Sequence, residues 1–315
     1  MRAARLQPLL LGVTLLGVTL LGVTLLGATL LLGACARPVR DGAARPVGAP
    51  LRVMSFNLRY DNPGDGINAW PNRKDRVGQL IRFHEADVIG VQEALQHQLT
   101  DLDARLPGFA RVGVGRADGR SGGEFSAILY RADRLQLRDS GTFWLSETPT
   151  AVGSKGWDTA IERIATWARF TDRVTGCTFV HLNTHFDHVG ERARQESARL
   201  IRRQLVTLAG GQPTVLTGDL NADPASVPYR VLTRDTVAGG GAPLHDALAV
   251  SDDGHYGPTS RWNAFRAIEP GRRIDYVMVS PGVRVGRHAI LPDMWDGRFP
   301  SDHLPVIASL TRVCR

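Results

Sequence analysis

Val215-Leu216-Thr217-Gly218-Asp219-Leu220-Asn221-Ala222-Asp223-Pro224 is the stretch on which the reading of this chain turns. Thr214 to Thr217 is a short apolar run of strand character, which breaks at Gly218 and delivers Asp219 and Asn221 beyond its end. Side chains two apart on an extended chain point the same way, so one carboxylate and one amide face one spot. Pro224 stops the strand from continuing. A carboxylate beside an uncharged oxygen or nitrogen donor suits a hard cation and a phosphate oxygen. The competing reading is an Asx turn, in which Asp and Asn satisfy only backbone groups nearby. The rest of the chain decides between the two.

On the N-terminal side, Leu51 to Asn57 reads as a strand, and Asp61 to Asn72 as a turn-rich loop. Arg73 to His84 places Val77, Leu80 and Ile81 at helical spacing, and Asp87 to Gln92 is a second buried strand with Glu93 at its end. Strand, loop, helix and strand return a polar residue to the same edge, as a βαβ crossover does. Ala94 to Leu106 reads as a helix, followed by β segments at Phe109–Val114, Phe125–Tyr130 and Leu135–Trp144, with a mobile loop at Gly119–Glu124. Strands at Ile164–Thr171 and Thr178–Thr184 follow, and the second delivers His185. Glu191 to Leu208 is the clearest helix, and Ser226 to Leu232 a short one. Arg273 to Ser280 is a strand carrying Asp275, and Leu304 to Leu310 is the last, preceded by Ser301-Asp302-His303. Helices alternating with many strands indicate an α/β layered core, and no linker splits the chain between residues 51 and 315.

The amino terminus reads differently. Arg2 and Arg5 precede an uncharged apolar run, Leu9 to Ala34, that ends in Leu32-Gly33-Ala34-Cys35. A basic start, an apolar middle and small residues before a cut describe a secretory signal over residues 1–35. Cysteine directly after that cut resembles the bacterial lipobox, in which Cys35 would carry lipid. The run is also long enough for an uncleaved membrane anchor, which needs ~20 residues. Both readings place the protein outside the cytoplasm, tethered to a membrane at its periplasmic or extracellular face. Residues 36–50, rich in Pro, Gly, Ala and Arg, form a linker. In an exported chain Cys177 and Cys314 are candidates for a disulfide, buried free thiols being the alternative.

The 315 residues carry a net charge of +7, which falls to +5 if residues 1–35 and their two arginines are removed. All basic residues but Lys74 and Lys155 are arginines. The balance permits an anionic substrate. No Lys/Arg run or interleaving of aromatic and basic residues marks a nucleic-acid surface, so nucleic acid is the less favoured partner.

Asn57, Glu93, His185, Asp219, Asn221, Asp275, Asp302 and His303 all sit at or beside the end of a short apolar strand. Carboxylates from several strands can hold Mg²⁺ through oxygen, and the cation stabilises charge developing on a phosphoryl group. Asn and His donate to its oxygens, and a His paired with a carboxylate can move a proton. Zinc fits less well, because there is no H-E-x-x-H pair and no Cys cluster. Taken singly, each of these residues has a structural reading as a turn, a cap or a satisfied strand-end group.

The ordered set Met54-Ser55-Phe56-Asn57, Val91-Gln92-Glu93, His181-Leu182-Asn183-Thr184-His185, Gly218-Asp219-Leu220-Asn221, Arg273-Ile274-Asp275-Tyr276 and Ser301-Asp302-His303 resembles the endonuclease/exonuclease/phosphatase superfamily. Phe143-Trp144-Leu145-Ser146-Glu147 and Arg163-Ile164-Ala165-Thr166-Trp167 look like marks of an exported bacterial branch. The resemblance implies a four-layer α/β sandwich, two mixed β-sheets flanked by helices, with the active site at one sheet edge. It implies a phosphatase or phosphodiesterase using Mg²⁺, with Mn²⁺ as a substitute. Glu93 would be the principal metal ligand, with Asn57 and Asp302 nearby as further metal ligands or as groups that hold the ligands in place. Asp219 would orient or deprotonate water and Asn221 position it. His303 would contact phosphate or act as acid/base with Asp275 orienting its ring, and His185 would stabilise the transition state. Either Asp219 or His303 could be the base.

The implied activity is phosphoester hydrolysis on sugar, lipid or nucleotide phosphates. A secreted nuclease and a non-catalytic surface lipoprotein are the alternatives. Arg163 is a candidate for a second anionic group, and Asp187 and His188 are candidates on the substrate side. Trp70, Trp144 and Trp157 either stack on a ligand or pack. The stretch Gly257 to Phe265 departs from the family's Gly-Thr-Phe pattern.

Overall fold

Alternate residues of β1 (Leu51–Asn57) face opposite ways, and both ways lead into packed side chains. The computed structural model describes residues 49–314, so the signal, Cys35 and nearly all of the linker lie outside the described residues. Elements follow β1 in the order α1 (Lys74–Phe83), β2 (Val88–Gln92), α2 (Gln96–Arg105), β3 (Phe109–Val112), β4 (Ile128–Arg131), β5 (Leu135–Trp144), β6 (Ile164–Asp172) and β7 (Thr178–His185). After these come α3 (Glu191–Ala209), β8 (Thr214–Asp219), α4 (Val227–Thr233), β9 (His245–Asp246), β10 (His255–Tyr256), β11 (Asp275–Val279), β12 (Arg284–Ile290) and β13 (Val306–Arg312).

The strands form a seven-stranded sheet, β10-β12-β13-β1-β2-β4-β3, and a six-stranded sheet, β5-β6-β7-β8-β11-β9. Both are mixed: β1/β2 and β7/β8 are parallel, while β1/β13 and β8/β11 are antiparallel. Leu51 and Val53 of β1 enter a core shared with Phe179, Val215 and Val277 of the other sheet, so the two sheets pack face to face. Met54 and Phe56, one position out of phase, pack with Leu80 and Ile81 of α1 and Leu99 and Leu102 of α2. Leu216 and Met278 play the same part against Ile201 and Leu205 of α3 and Leu232 of α4. Helix, sheet, sheet and helix therefore make four layers, and two-sided burial explains why these strands read as continuous apolar runs.

The space between the sheets is graded from apolar to polar. Along β8 the inward residues are Val215, Thr217 and Asp219; along β7 they are Phe179, His181, Asn183 and His185. Along β1 they run Leu51, Val53, Ser55, Asn57, and along β11, in reverse, Val279, Val277, Asp275. Asn183 sits midway and joins the sheets. Its Nδ2 donates to the Val91 and Ala127 carbonyls of the opposite sheet at 2.8 and 2.9 Å. Its Oδ1 accepts from Gln92 Nε2 at 2.7 Å and from the Thr217 hydroxyl at 3.0 Å. The Thr217 oxygen in turn accepts from the buried His181, whose imidazole burial lowers to about 3. Gly90 makes room for the knot: a Cβ there would come within 2.0 Å of Thr217 Oγ1.

Cys177, just before β7, and Cys314, just after β13, form a disulfide with Cα atoms 5.7 Å apart. Four expectations are corrected. The Asp61–Asn72 segment is two short 3₁₀ turns, Pro63–Asn68 and Trp70–Asn72, because proline sets each start and Asn62 caps the Gly64 N–H at 3.0 Å. The central strand does not break at Gly218 but runs through it to Asp219, held by ladder pairs to β7 and β11. The sequence pattern does not mark β12, because its exposed arginines and buried Gly286 mask the alternation. β4 starts only at Ile128.

Two outcomes follow. Asn183→Ala leaves buried partners unsatisfied and should cost about 2–4 kcal/mol in urea denaturation. Cys314→Ser should lower stability by about 2–5 kcal/mol, since the bond closes a long loop. Two free thiols on unreduced, denatured protein from residue 51 onward would contradict the pairing.

Candidate active site

The polar ends of β1, β2, β7, β8 and β11 meet at one edge of the sandwich, with Asp302 and His303 arriving just before β13. There Glu93, His185, Asp219, Asn221, Asp302 and His303 line a cleft of about 670 Å³, while Asn57 and Asp275 are buried against them. Asn57, fully buried, bridges two acids: its Nδ2 donates to Glu93 Oε1 at 2.9 Å and to Asp219 Oδ2 at 3.0 Å. Its Oδ1 accepts from the Arg59 N–H at 3.0 Å. Glu93 follows β2 at φ 61°, a left-handed turn costly for a side-chain-bearing residue, which bends its carboxylate away from the ladder. The Tyr60 N–H donates to its other oxygen at 3.2 Å.

Asp219 does two jobs. Its Oδ1 accepts from the Asn221 N–H at 2.9 Å, which is the Asx turn, while Oδ2 faces Asn57, His185 and His303. Asn221 reaches the site through a left-handed backbone at φ 44° rather than through extended alternation. Its Nδ2 donates to His185 Nε2 at 3.1 Å and to the Phe186 carbonyl at 3.0 Å. The His303 Nδ1 lies 2.9 Å from Asp275 Oδ2 and 3.6 Å from Asp219 Oδ2.

Burial sets the charges. It pushes the Asp219 carboxyl up to about 7, and the nearby charge of Asp275 acts in the same direction. Burial alone would lower the His303 imidazole, but Asp275, Asp219 and Asp302 hold it well above its usual range. Asp302 is raised by burial and by Glu93. His185 is driven well below its usual range by burial, then by Arg163 and Arg116, and stays neutral.

Glu93 and Asp302 both line the cleft and Glu93's charge helps raise Asp302, so the two carboxylates suit a hard divalent cation, with the Arg59 guanidinium 3.9 Å from Asp302. Asp219, Asp275 and His303 also offer ligand atoms within 4.8 Å of one another. There one ligand atom is the His303 Nδ1 already engaged with Asp275, whereas Glu93 and Asp302 supply oxygen donors alone.

All eight residues singled out in the sequence converge at this edge. The structure adds lining residues that the sequence does not mark. Arg59 and Tyr60 line the cleft just beyond β1, and Arg59 is clamped by both oxygens of Asp65 at 3.0 and 3.1 Å. Glu124 and Trp262 line it from loops that carry no periodicity. Asp118 ties the Glu124 loop through the Arg120 and Gly122 N–H groups, each at 2.8 Å. Arg163 and His188 also line the cleft, whereas Asp187 is buried beneath them. Trp70, Trp144 and Trp157 do not line it; Trp70 and Trp144 are buried with their N–H groups bonded to Asp101 and the Arg116 carbonyl.

The sequence of residues 54–303 matches the model of the endonuclease/exonuclease/phosphatase family. The chain belongs to that family. Members of that family are phosphoester hydrolases that use divalent metals, and this chain has the family's enzyme class and fold. A family member from Bacteroides vulgatus is 42% identical, with a TM-score of 0.79, covering 83% of this chain and 98% of that one. A Bacteroides thetaiotaomicron protein described as a mannosyl-6-phosphatase is 38% identical, with a TM-score of 0.77, covering 82% and 99%. Nocturnin of Drosophila melanogaster is 23% identical over 87% of this chain, which spans about half (47%) of that protein's length.

The raised groups make stability pH-dependent. Both Asp219 and His303 have folded-state values above their unfolded ones. The stability they confer is therefore complete below about pH 4 and 6.5 respectively, and is lost as pH rises through about 7 for Asp219 and higher for His303. With divalent cations chelated, Asp219→Asn should gain about 2 kcal/mol relative to the parent between pH 5.5 and 8.5. A difference that stays constant across that range would place the carboxyl in its ordinary range.

Proposed function

We propose that the protein is a Mg²⁺-dependent phosphoester hydrolase that acts on phosphorylated small molecules outside the cytoplasm, with Mn²⁺ as a substitute. The observation that carries this reading is the pairing of two charge systems at one cleft: Glu93 with Asp302, and His303 between Asp275 and Asp219. The likeness to a mannosyl-6-phosphatase supports a small phosphorylated substrate. The lipobox-like Cys35 supports a tethered, exported protein, and a disulfide suits an oxidising compartment.

Glu93 and Asp302 would hold the cation, which when bound stabilises charge on the phosphoryl oxygens. Asn57 orients Glu93 and Asp219 together. Asp219, with a carboxyl near neutrality, is matched to taking a proton from water at physiological pH, which favours it over His303 as base. His303 is committed through Nδ1 to Asp275, so Nε2 is the nitrogen left to donate to a phosphoryl or leaving oxygen. Asn221 and the neutral His185 fix one another beside the attack position.

A panel of sugar phosphates, inositol phosphates, sphingomyelin, plasmid DNA and RNA, assayed with Mg²⁺, Mn²⁺ or EDTA, tests the reading, with Asp219→Ala as blank. Metal-dependent release from a small phosphate ester is expected. Preferred cleavage of DNA or RNA would establish the nuclease reading, and no turnover of any substrate would favour a non-catalytic lipoprotein. Glu93→Ala should lose at least about a hundredfold in turnover while staying folded; full activity would remove it from the site. His303→Ala should lower kcat more than it raises KM, and a pure KM effect would make it a binding residue.

A further inference from the structure

The cleft holds several arginines, yet among the described residues each that lines it already has a carboxylate partner. Arg59 is held by Asp65 at 3.0 Å, and Arg163 lies 3.4 Å from Asp187. Arg272 lies 3.7 Å from Glu269 and stacks on Trp262, its guanidinium carbon 4.3 Å from the ring centre. Arg116, just behind, donates to Glu124 at 2.7 Å. A polynucleotide or a second phosphate group gains affinity by neutralising unpaired cations. This cleft instead offers neutralised pairs, whose remaining hydrogen-bonding capacity suits uncharged groups.

Three side chains that line the cleft outside the reacting centre supply that capacity. The Glu124 carboxylate, 17% exposed, uses Oε2 on Arg116 and keeps acceptor sites free. His188 is half-exposed and its Nδ1 accepts from Arg163 Nη2 at 3.0 Å, which places the neutral ring's proton on Nε2 as a donor. Trp262 is half-buried and fixed by a β-bridge to His303, beside the reacting centre. Its segment is zipped to residues 301–304 by Asn263 N to Asp302 O and Leu304 N to Arg261 O, each at 2.8 Å. A carboxylate acceptor, an imidazole donor and an aromatic face together match hydroxyls and the apolar face of a polyhydroxylated ring.

We propose that Glu124, His188 and Trp262 form a subsite for the neutral sugar ring of a phosphomonoester, recognising its hydroxyls while the reacting centre holds the phosphate. The proposal rests on the phosphoester-hydrolase reading above and specifies the alcohol half of the substrate.

The test compares two esters of similar shape on the purified full chain: mannose 6-phosphate or glucose 6-phosphate, and cyclohexylmethyl phosphate, which has the ring without hydroxyls. The parent should prefer a hexose phosphate at least thirtyfold in kcat/KM. Glu124→Gln and His188→Phe should each narrow that preference at least tenfold, chiefly through KM for the hexose ester, and Trp262→Ala should weaken KM for both esters. A parent without the preference, or a preference that Glu124→Gln and His188→Phe leave intact, overturns the subsite. If the parent hydrolyses neither ester, the hydrolase reading is decided on the other esters of the panel above, and titration calorimetry with the same hexose phosphates decides the subsite. Binding at least tenfold weaker in Glu124→Gln supports it; equal binding, or none in the parent, overturns it.

Discussion

The amide of Asn183 is the constraint on which this structure depends. Two sheets packed only through Val, Leu and Phe side chains can slide with little penalty, because dispersion and burial are not directional. Asn183 adds direction. It spans from β7 to carbonyls of the opposite sheet and receives Gln92 and Thr217 from either side. A buried amide whose four bonds are met in one alignment is unsatisfied in any other, so the alignment is fixed. Two residues further along the same inward rows stand His185 and Asp219, and one beyond Gln92 stands Glu93. The knot thus sets the spacing of groups that must meet within hydrogen-bonding distance.

The graded interior explains how one pair of sheets supplies both stability and chemistry. The apolar end, with Val53, Val215, Val277 and Phe179, buries surface and has no function to serve. The polar end concentrates acids and imidazoles with little water to screen them. Burial there raises Asp219 and Asp302 and is overcome at His303 only because three carboxylates surround it. Such an arrangement destabilises the fold locally, and Glu93 in a left-handed conformation adds strain. Groups poised near neutrality and a cluster of buried acids are the features a hydrolytic site needs.

The cleft walls are built by another logic. Arg73 is buried and donates to the Leu58, Arg59, Asn68 and Pro300 carbonyls, so one guanidinium ties the loop after β1 to the loop before Asp302. Burial lowers it, to about 10, which still leaves it charged. Arginine also reaches the floor, where the Arg59 guanidinium that Asp65 clamps lies 3.9 Å from Asp302.

The sequence by itself determined the strand ends and their polar residues. A buried strand must be apolar on both faces, so Asn57, Glu93, His185, Asp219 and Asp275 stand out wherever such a run stops, and their order carried the family resemblance. It also determined α1 and α3, whose periodicity is strong. It could not show that Asn221 arrives through a left-handed turn, that the strand continues through Gly218, or that β12 exists, because each depends on neighbours distant in the chain. Nor could it find Glu124 and Trp262, which lie on irregular loops without a pattern to read. Only the tertiary structure decided which strand ends meet and which loops wall the cleft, since contacts such as that of Asn57 with Asp219, 162 residues apart, exist only once the sheets are packed.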